Sequence, residues 1–247
     1  MIGAIIQARS NSSRLPRKIL TKWRDLTLIQ IMVNRIKTAQ EVDKVIIATT
    51  TSPADDEFCD LLDENHILYY RGSEADVLGR VLATAQHFKI ETIVDLTGDC
   101  PLIDPHIIDS AVRFFAKEET DYVANTTITA SYPRGQDVQV YTTQTLNIVN
   151  DSTQTPNDRE HVSLYIYNNP QRFNIQPLPS LSFSLHPHLR LTIDYPEDLQ
   201  LILRILDSLG SDCTLANINT FLTKNPKVFS INSHLSPPYI NDLTRHH

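Results

Sequence analysis

The sequence is poor in glycine, with 6 among 247 residues, where ordinary usage of about 7% would give roughly 17. Collagen-like, low-complexity and Gly-loop-rich chains are excluded. Gly3, Gly72, Gly79, Gly98, Gly135 and Gly210 each become a marker for backbone freedom. Cysteine is scarce as well. Cys59, Cys100 and Cys213 are odd in number, widely spaced and without a C-x-x-C pair, which fits a reducing, cytoplasmic compartment. Positive charge is not in excess, with 22 Lys and Arg against 29 Asp and Glu, a net charge of −7. That balance argues against a general nucleic-acid binder and leaves room for a local basic site. Long apolar runs are missing too. The first stops at Ile6, before Gln7 and Arg9, too short for a signal core or a membrane span, and no other stretch is long enough to cross a membrane.

What is present is ordinary for a chain that buries a sizeable core, with 41% hydrophobic and 21% charged residues. The length suits one large domain, or one with a modest appendage. Gly3 to Gln7 reads as a strand, followed by a loop and the helical pattern Leu28, Ile29, Met32, Val33, Ile36. The alternation repeats with strand Val45–Thr50, a helix opened by Ser52 and Pro53, the short run Ile67–Tyr70, a helix over Val77 to Ala85, and strand Thr92–Leu96. Asp104 and Pro105 then cap a helix reaching about Lys117. Such alternation implies an α/β fold of parallel βαβ units. After Val123 the rhythm breaks, and residues 125–187 read as an excursion from the sheet that serves as a lid or a subunit contact. This stretch holds strand-like Val138–Tyr141 and a helix from Asn157 to Asn168. The rhythm returns with a strand Leu189–Ile193 and helices over Pro196–Leu209 and Leu215–Leu222. The reading is one domain over residues 1–230 and a tail over 231–247.

Ligands of open α/β sheets bind beyond the carboxyl ends of the strands. Directly after the first strand, Gln7 to Lys18 carries four cations and three serines in twelve residues. That density suits a polyanion such as a triphosphate, although no P-loop motif is present. A solvated basic loop is the plainer alternative. In Thr97-Gly98-Asp99-Cys100-Pro101 a carboxylate sits at a strand end, placed to ligate Mg2+ on phosphate oxygens or simply to cap a turn. Asp194, before Tyr195-Pro196-Glu197-Asp198, reads either as a second such carboxylate or as a helix N-cap. His161 has a side chain suited to proton transfer, and a structural role is the alternative.

Taken together, these segments resemble the cytidylyltransferase family that includes CMP-N-acetylneuraminate and CMP-Kdo synthetases, most of all its spore-coat polysaccharide branch. The matching stretches are Ile6-Gln7-Ala8-Arg9 with Ser13-Arg14-Leu15-Pro16-Arg17-Lys18, then Arg71 to Leu78 and Thr97 to Asp104. They continue with Asp121 to Asn125, Tyr132-Pro133-Arg134-Gly135, Arg159-Glu160-His161-Val162 and Leu191 to Leu199. They occur in order across most of the chain. The resemblance implies a nucleotide-diphospho-sugar transferase (Rossmann-like) fold, a three-layer α/β/α sandwich with a mostly parallel sheet. It also implies an Mg2+-dependent enzyme that takes CTP and a sugar-acid acceptor, works as a homodimer and makes a CMP-sugar for surface polysaccharide.

By that likeness Ala8, Arg9, Ser13, Arg14, Lys18, Arg71, Gly72, Ser73 and Thr97 bind the nucleotide. Lys18, Asp99 and Asp194 are catalytic, with Asp99 and Asp194 holding the metal. Asn125, Arg134, Gln139, Glu160 and His161 face the sugar or shape its pocket. Three departures stand out: Arg17 where relatives have Gly, Arg24 to Leu28 where many have Gly and Pro, and Gln139 in place of the usual acidic residue. Two alternatives remain in view. One is a nucleotidyltransferase using another NTP with a sugar 1-phosphate, the other a non-catalytic CTP-binding relative.

Overall fold

In the structure, a computed structural model, residues 1–11, 14–125, 132–183, 185 and 189–235 are described. Apolar runs that cannot shed their hydrophobic faces become strands covered on both sides. Strand β1 (Ile2–Gln7) sends Ala4 and Ile6 into one hydrophobic cluster and Ile5 into another, as expected for a parallel strand sandwiched by helices. A small hairpin of β2 (Lys22–Trp23) and β3 (Leu26–Thr27) leads into α1 (Leu28–Ile36). There Thr27 and Gln30 form a capping box, with Gln30 Oε1 accepting from Thr27 N at 2.7 Å. Then follow β4 (Lys44–Thr50), α2 (Asp56–Glu64), β5 (Leu68–Gly72), α3 (Val77–Phe88), β6 (Thr92–Thr97) and α4 (Pro105–Lys117). Asp104 caps α4 by accepting from His106 N at 3.0 Å.

The second half adds β7 (Tyr122–Ala124), β8 (Gln139–Thr142), α5 (Thr143–Ser152), α6 (Pro156–Glu160), α7 (Leu164–Asn168) and β9 (Ile175–Pro177), then α8 (Pro196–Leu209), α9 (Leu215–Lys224) and α10 (Pro226–Phe229). The main sheet runs β5-β4-β1-β6-β8-β7-β9. The pairings β5–β4, β4–β1, β1–β6 and β7–β9 are parallel, and β8 alone runs against its neighbours. Helices α1, α2, α4, α8 and α9 fill the cluster on one face, and α3, α5 and α7 fill the other. This is the three-layer α/β/α sandwich that the resemblance implies.

Four expectations need correction. Residues 125–187 are only partly an excursion, because they supply β8 and β9 to the main sheet, with Val140 and Tyr141 fully buried there. The helix over Asn157–Asn168 is broken into α6 and α7. Between them the chain leaves the helical path to bury Val162 and to turn the buried Ser163 hydroxyl onto Gln139 Oε1. Among the described residues Leu189–Ile193 forms no strand and makes only a single bridge, Arg190 to Arg134. It crosses the strand ends, with Leu191 N donating to Arg134 O at 2.7 Å and Ile193 N to Asp99 O at 2.9 Å. Gly135, at φ 92° and packed against the Leu191–Thr192 peptide, leaves no room for a Cβ at that crossing. The tail begins as a docked turn, since Asn232 is buried and its amide donates to Arg190 O and Asp198 Oδ1. Residues 236–247 of that expected tail lie outside the described residues.

Candidate active site

The carboxyl ends of β1, β4, β5 and β6 share one edge of the sheet, and the chemistry-bearing loops gather there. The basic loop leaves β1 at Gln7. Ala8 N donates to Ala48 O at 3.3 Å, and the Ser10 amide and hydroxyl both donate to Asp55 Oδ1, at 2.7 and 2.6 Å. Asp55 is thereby the clamp on the start of the loop. Its carboxyl, which burial pushes upward, lies below its ordinary pKa because hydrogen bonds from Ser10 and Thr50 outweigh the burial.

The loop ends in a tight turn at Arg17, whose φ of 61° and ψ of 16° are left-handed. Glycine suits that conformation best. The Arg17 side chain does not crowd the site, because its guanidinium forks onto Glu57 of α2 at 2.5 and 2.8 Å.

The turn delivers Lys18 to the centre. Its buried ammonium lies 3.2 Å from Asp99 Oδ2 and 3.5 Å from Asp194 Oδ1, and it donates to Ile193 O. Two carboxylates far apart in sequence therefore meet on one cation. Asp194 is only 3% exposed. Its Oδ2 accepts from Arg190 at 2.6 Å and its Oδ1 from Arg14 at 2.7 Å. Burial acts to raise the Asp194 pKa, but Lys18, Arg190 and Arg14 together hold it below the ordinary carboxylate value. Beneath it, the fully buried Asp198 accepts from Arg190 Nε at 2.8 Å and from Asp194 N at 2.9 Å. Asp99 is the more open carboxylate, and among the described residues its Oδ1 meets only the Cys100 thiol, at 3.5 Å. This donor set accommodates a phosphate-bound divalent cation, which takes one or two protein carboxylates and fills its remaining positions with phosphate oxygens and water. Among the described residues no group of three or more His, Cys, Asp or Glu side chains gathers as a closed metal site.

The other expected site residues are dispersed. Arg9 pairs with Glu74 at 2.7 Å on the surface of the loop. Ser13 lies outside the described residues. Arg71 donates to the carbonyls of Thr50 and Ser52, both at 2.8 Å, and pairs with Asp56 at 2.7 Å. Ser73 Oγ accepts from Asp76 N at 3.1 Å, and Thr97 stands exposed at the end of β6, its hydroxyl 3.4 Å from Cys100 Sγ. Asn125 is buried, with its amide bonded to Gln136 O and Val138 N at 2.6 and 2.9 Å. Arg134 is joined through its backbone to the 190–191 crossing. Gln139 Oε1 collects the hydroxyls of Tyr122 and Tyr167, at 2.7 and 3.1 Å, and of Ser163. Glu160 and His161 are exposed, and neither side chain has a hydrogen-bond partner among the described residues.

A model of the cytidylyltransferase family matches residues 3–229, a span that contains all of these loops. The chain belongs to the cytidylyltransferase family. It is a nucleotidyltransferase of that family, similar over 229 residues, at 31% identity, to the spore coat polysaccharide biosynthesis protein SpsF of Bacillus subtilis, with 90% of this chain and 94% of that one covered. A 3-deoxy-manno-octulosonate cytidylyltransferase of Syntrophotalea carbinolica is 35% identical over 111 residues, covering 45% of this chain and 44% of that one. Among solved structures, a cytidylyltransferase from Leptospira borgpetersenii superposes with a TM-score of 0.86 at 30% identity, covering 92% of this chain and 95% of that one.

Within this cytidylyltransferase, sequence reasoning missed Arg190, Asp198 and Asp55. One signal was available: Arg190 interrupts the apolar run Leu189 to Ile193, and a charge inside such a run has to be buried with a partner. Asp95, inside the run Thr92 to Leu96, carries the same signal. It is 2% exposed and accepts from Gln7 Nε2 at 2.6 Å and Tyr141 OH at 2.7 Å. Burial raises its pKa to about 6.

Proposed function

We propose that this cytidylyltransferase transfers CMP from CTP to a hydroxyl of a sugar acid, with release of pyrophosphate and dependence on Mg2+, to make a CMP-sugar for surface polysaccharide or glycan synthesis. The observation that carries this reading is the Lys18 ammonium held between Asp99 and Asp194 at the strand ends. The family, and the names of the SpsF and 3-deoxy-manno-octulosonate relatives, support CTP and a sugar acid as the substrates.

The reaction is in-line attack of the acceptor hydroxyl on the α-phosphorus, so the protein's work is positioning and charge neutralisation. Arg9, Arg14 and Lys18 meet the triphosphate and offset the charge that builds on the leaving pyrophosphate. Asp99 and Asp194 hold the cation, and Arg190 and Asp198 fix Asp194 from below. When bound, Mg2+ polarises the phosphate and lowers the pKa of the attacking hydroxyl. Gln139, with its ring of hydroxyl groups, lies on the acceptor side. A second copy of the chain completes the enzyme as a homodimer, with part of residues 125–187 as the contact or lid. The three cysteines are free and buried, and the cytoplasm is the proposed compartment.

The test is a pyrophosphate-release screen of CTP against nonulosonic acids, octulosonic acids and sugar 1-phosphates. We expect release with CTP, Mg2+ and a sugar acid. A preference for UTP or GTP with a sugar 1-phosphate, or no release from any pair, contradicts the reading.

A further inference from the structure

The segment from Arg71 to Ser73 contains an arginine that the family resemblance marks as a nucleotide contact, yet the charge of Arg71 is met by Asp56 at 2.7 Å. A second guanidinium lies under the same segment. Arg80, in the first turns of α3, is only 5% exposed, and its Nη1 donates to Ser73 O and, at 3.4 Å, to Glu74 O. Its Nε is buried without a hydrogen-bond partner. The missing side chain of Gly72 is what admits it, since a Cβ there would stand 2.8 Å from Arg80 Cγ.

Among the described residues this buried cation has no carboxylate within ion-pair distance, although Asp55, Asp76 and Glu74 are near enough to act on it. Each of them is committed elsewhere. Asp55 holds Ser10 and Thr50, Asp76 pairs with Arg159 at 2.5 Å, and Glu74 pairs with Arg9 at 2.7 Å. Burial, and next the neighbouring Arg9, hold the Arg80 pKa below the ordinary arginine value. A buried charge with an orphaned donor is destabilising unless something answers it. In a protein that binds a polyanion at this strand edge, the answering group is the ligand.

We infer that Arg80, rather than Arg71, is the arginine through which this segment binds the nucleotide, donating from its guanidinium to acceptor oxygens of CTP. The inference rests on the proposed use of CTP. It assigns the Arg71–Ser73 segment a structural part: Arg71 ties β5 to the end of β4, and Gly72 and Ser73 seat Arg80.

The test is calorimetric binding of CTP, cytidine and inorganic tripolyphosphate to the wild type, Arg80→Lys and Arg80→Met, with thermal melts to verify folding. Binding of CTP by the wild type checks the underlying reading separately. Given that binding, we expect Arg80→Met to bind CTP at least about tenfold more weakly, the size of one charge-assisted hydrogen bond, with Arg80→Lys between the two. If the weakening also appears with tripolyphosphate, the acceptor is a phosphate; if it appears with cytidine, the acceptor is the base. Wild-type affinity in both folded variants overturns the inference. Should Arg80→Met fail to fold, the Arg80 Nε–H resonance of the wild type decides, because it shifts on CTP addition if Arg80 meets the nucleotide and stays in place if it does not.

Discussion

Arg190 and Asp194 pair at 2.6 Å with both side chains 3% exposed, so the carboxylate proposed to hold the metal is anchored on a cation that solvent barely reaches. Removing one partner of a buried pair leaves the other charge stranded, at about 3–5 kcal/mol. We predict that Arg190→Met loses stability on that scale in guanidinium denaturation. It should also lose activity in any fraction that stays folded, because Asp194 and Asp198 would repel each other.

Asp194 Oδ1 faces a different kind of partner. Arg14 reaches it at 2.7 Å while remaining half exposed, which makes it exchangeable where Arg190 is not. A pair with one partner this exposed to solvent contributes about 1 kcal/mol, or about fivefold in affinity. Arg14→Ala should therefore bind Mn2+ about fivefold more tightly than the wild type in the absence of nucleotide, measured by electron paramagnetic resonance, and bind CTP less tightly. Unchanged Mn2+ affinity would show that Arg14 does not compete for that oxygen.

Arg17 carries a backbone cost but leaves the centre clear. Its left-handed φ favours glycine, and its side chain is drawn to the exposed Glu57 rather than to the centre. We predict that Arg17→Gly keeps pyrophosphate release and leaves the melting temperature unchanged or slightly raised, while Arg17→Val lowers it through strain at the same φ.

Asp95 gives a pH dependence of defined sign. Its pKa rises from 3.8 in the open chain to about 6 in the fold, so the folded state holds the proton more tightly. Its contribution is fully present below the lower value and is lost as pH rises through the upper one, by about 3 kcal/mol for two pKa units. Asp194, with a lowered pKa, acts oppositely and loses its contribution on acidification. Asp95→Asn mimics the protonated form. Its stability relative to the wild type should therefore rise between pH 4 and pH 7, read from denaturant midpoints, and a constant difference would contradict the assignment.

The parts of the fold legible in the sequence were those where one local pattern decides. The alternation from β1 to α4 could be read because apolar runs, Pro53, Pro105 and the Asp104 cap act within a few residues of where they stand. The helix α5 was missed because it buries only Thr145, Leu146 and Val149, too few positions to show a period. Residues 189–193 read as a strand because the run Leu189 to Ile193 is apolar in alternation. Only the Arg134 and Asp99 carbonyls, which lie far away in sequence, reveal that the run is a crossing. The same holds for the site. Lys18, Asp99 and Asp194 were found as types at strand ends, while their meeting, and the Arg190–Asp198 support under Asp194, depend on contacts between distant segments.

The most direct measurement is pyrophosphate release from CTP with the best acceptor, as a function of Mg2+, by the wild type and by folded Asp99→Ala. We predict strict Mg2+ dependence in the wild type and a loss of at least about a hundredfold in the variant, the scale of removing one preorganised electrostatic partner of the transition state. Full activity in folded Asp99→Ala, or release that is indifferent to Mg2+, would contradict the assignment of the Lys18–Asp99–Asp194 centre as the site of nucleotidyl transfer.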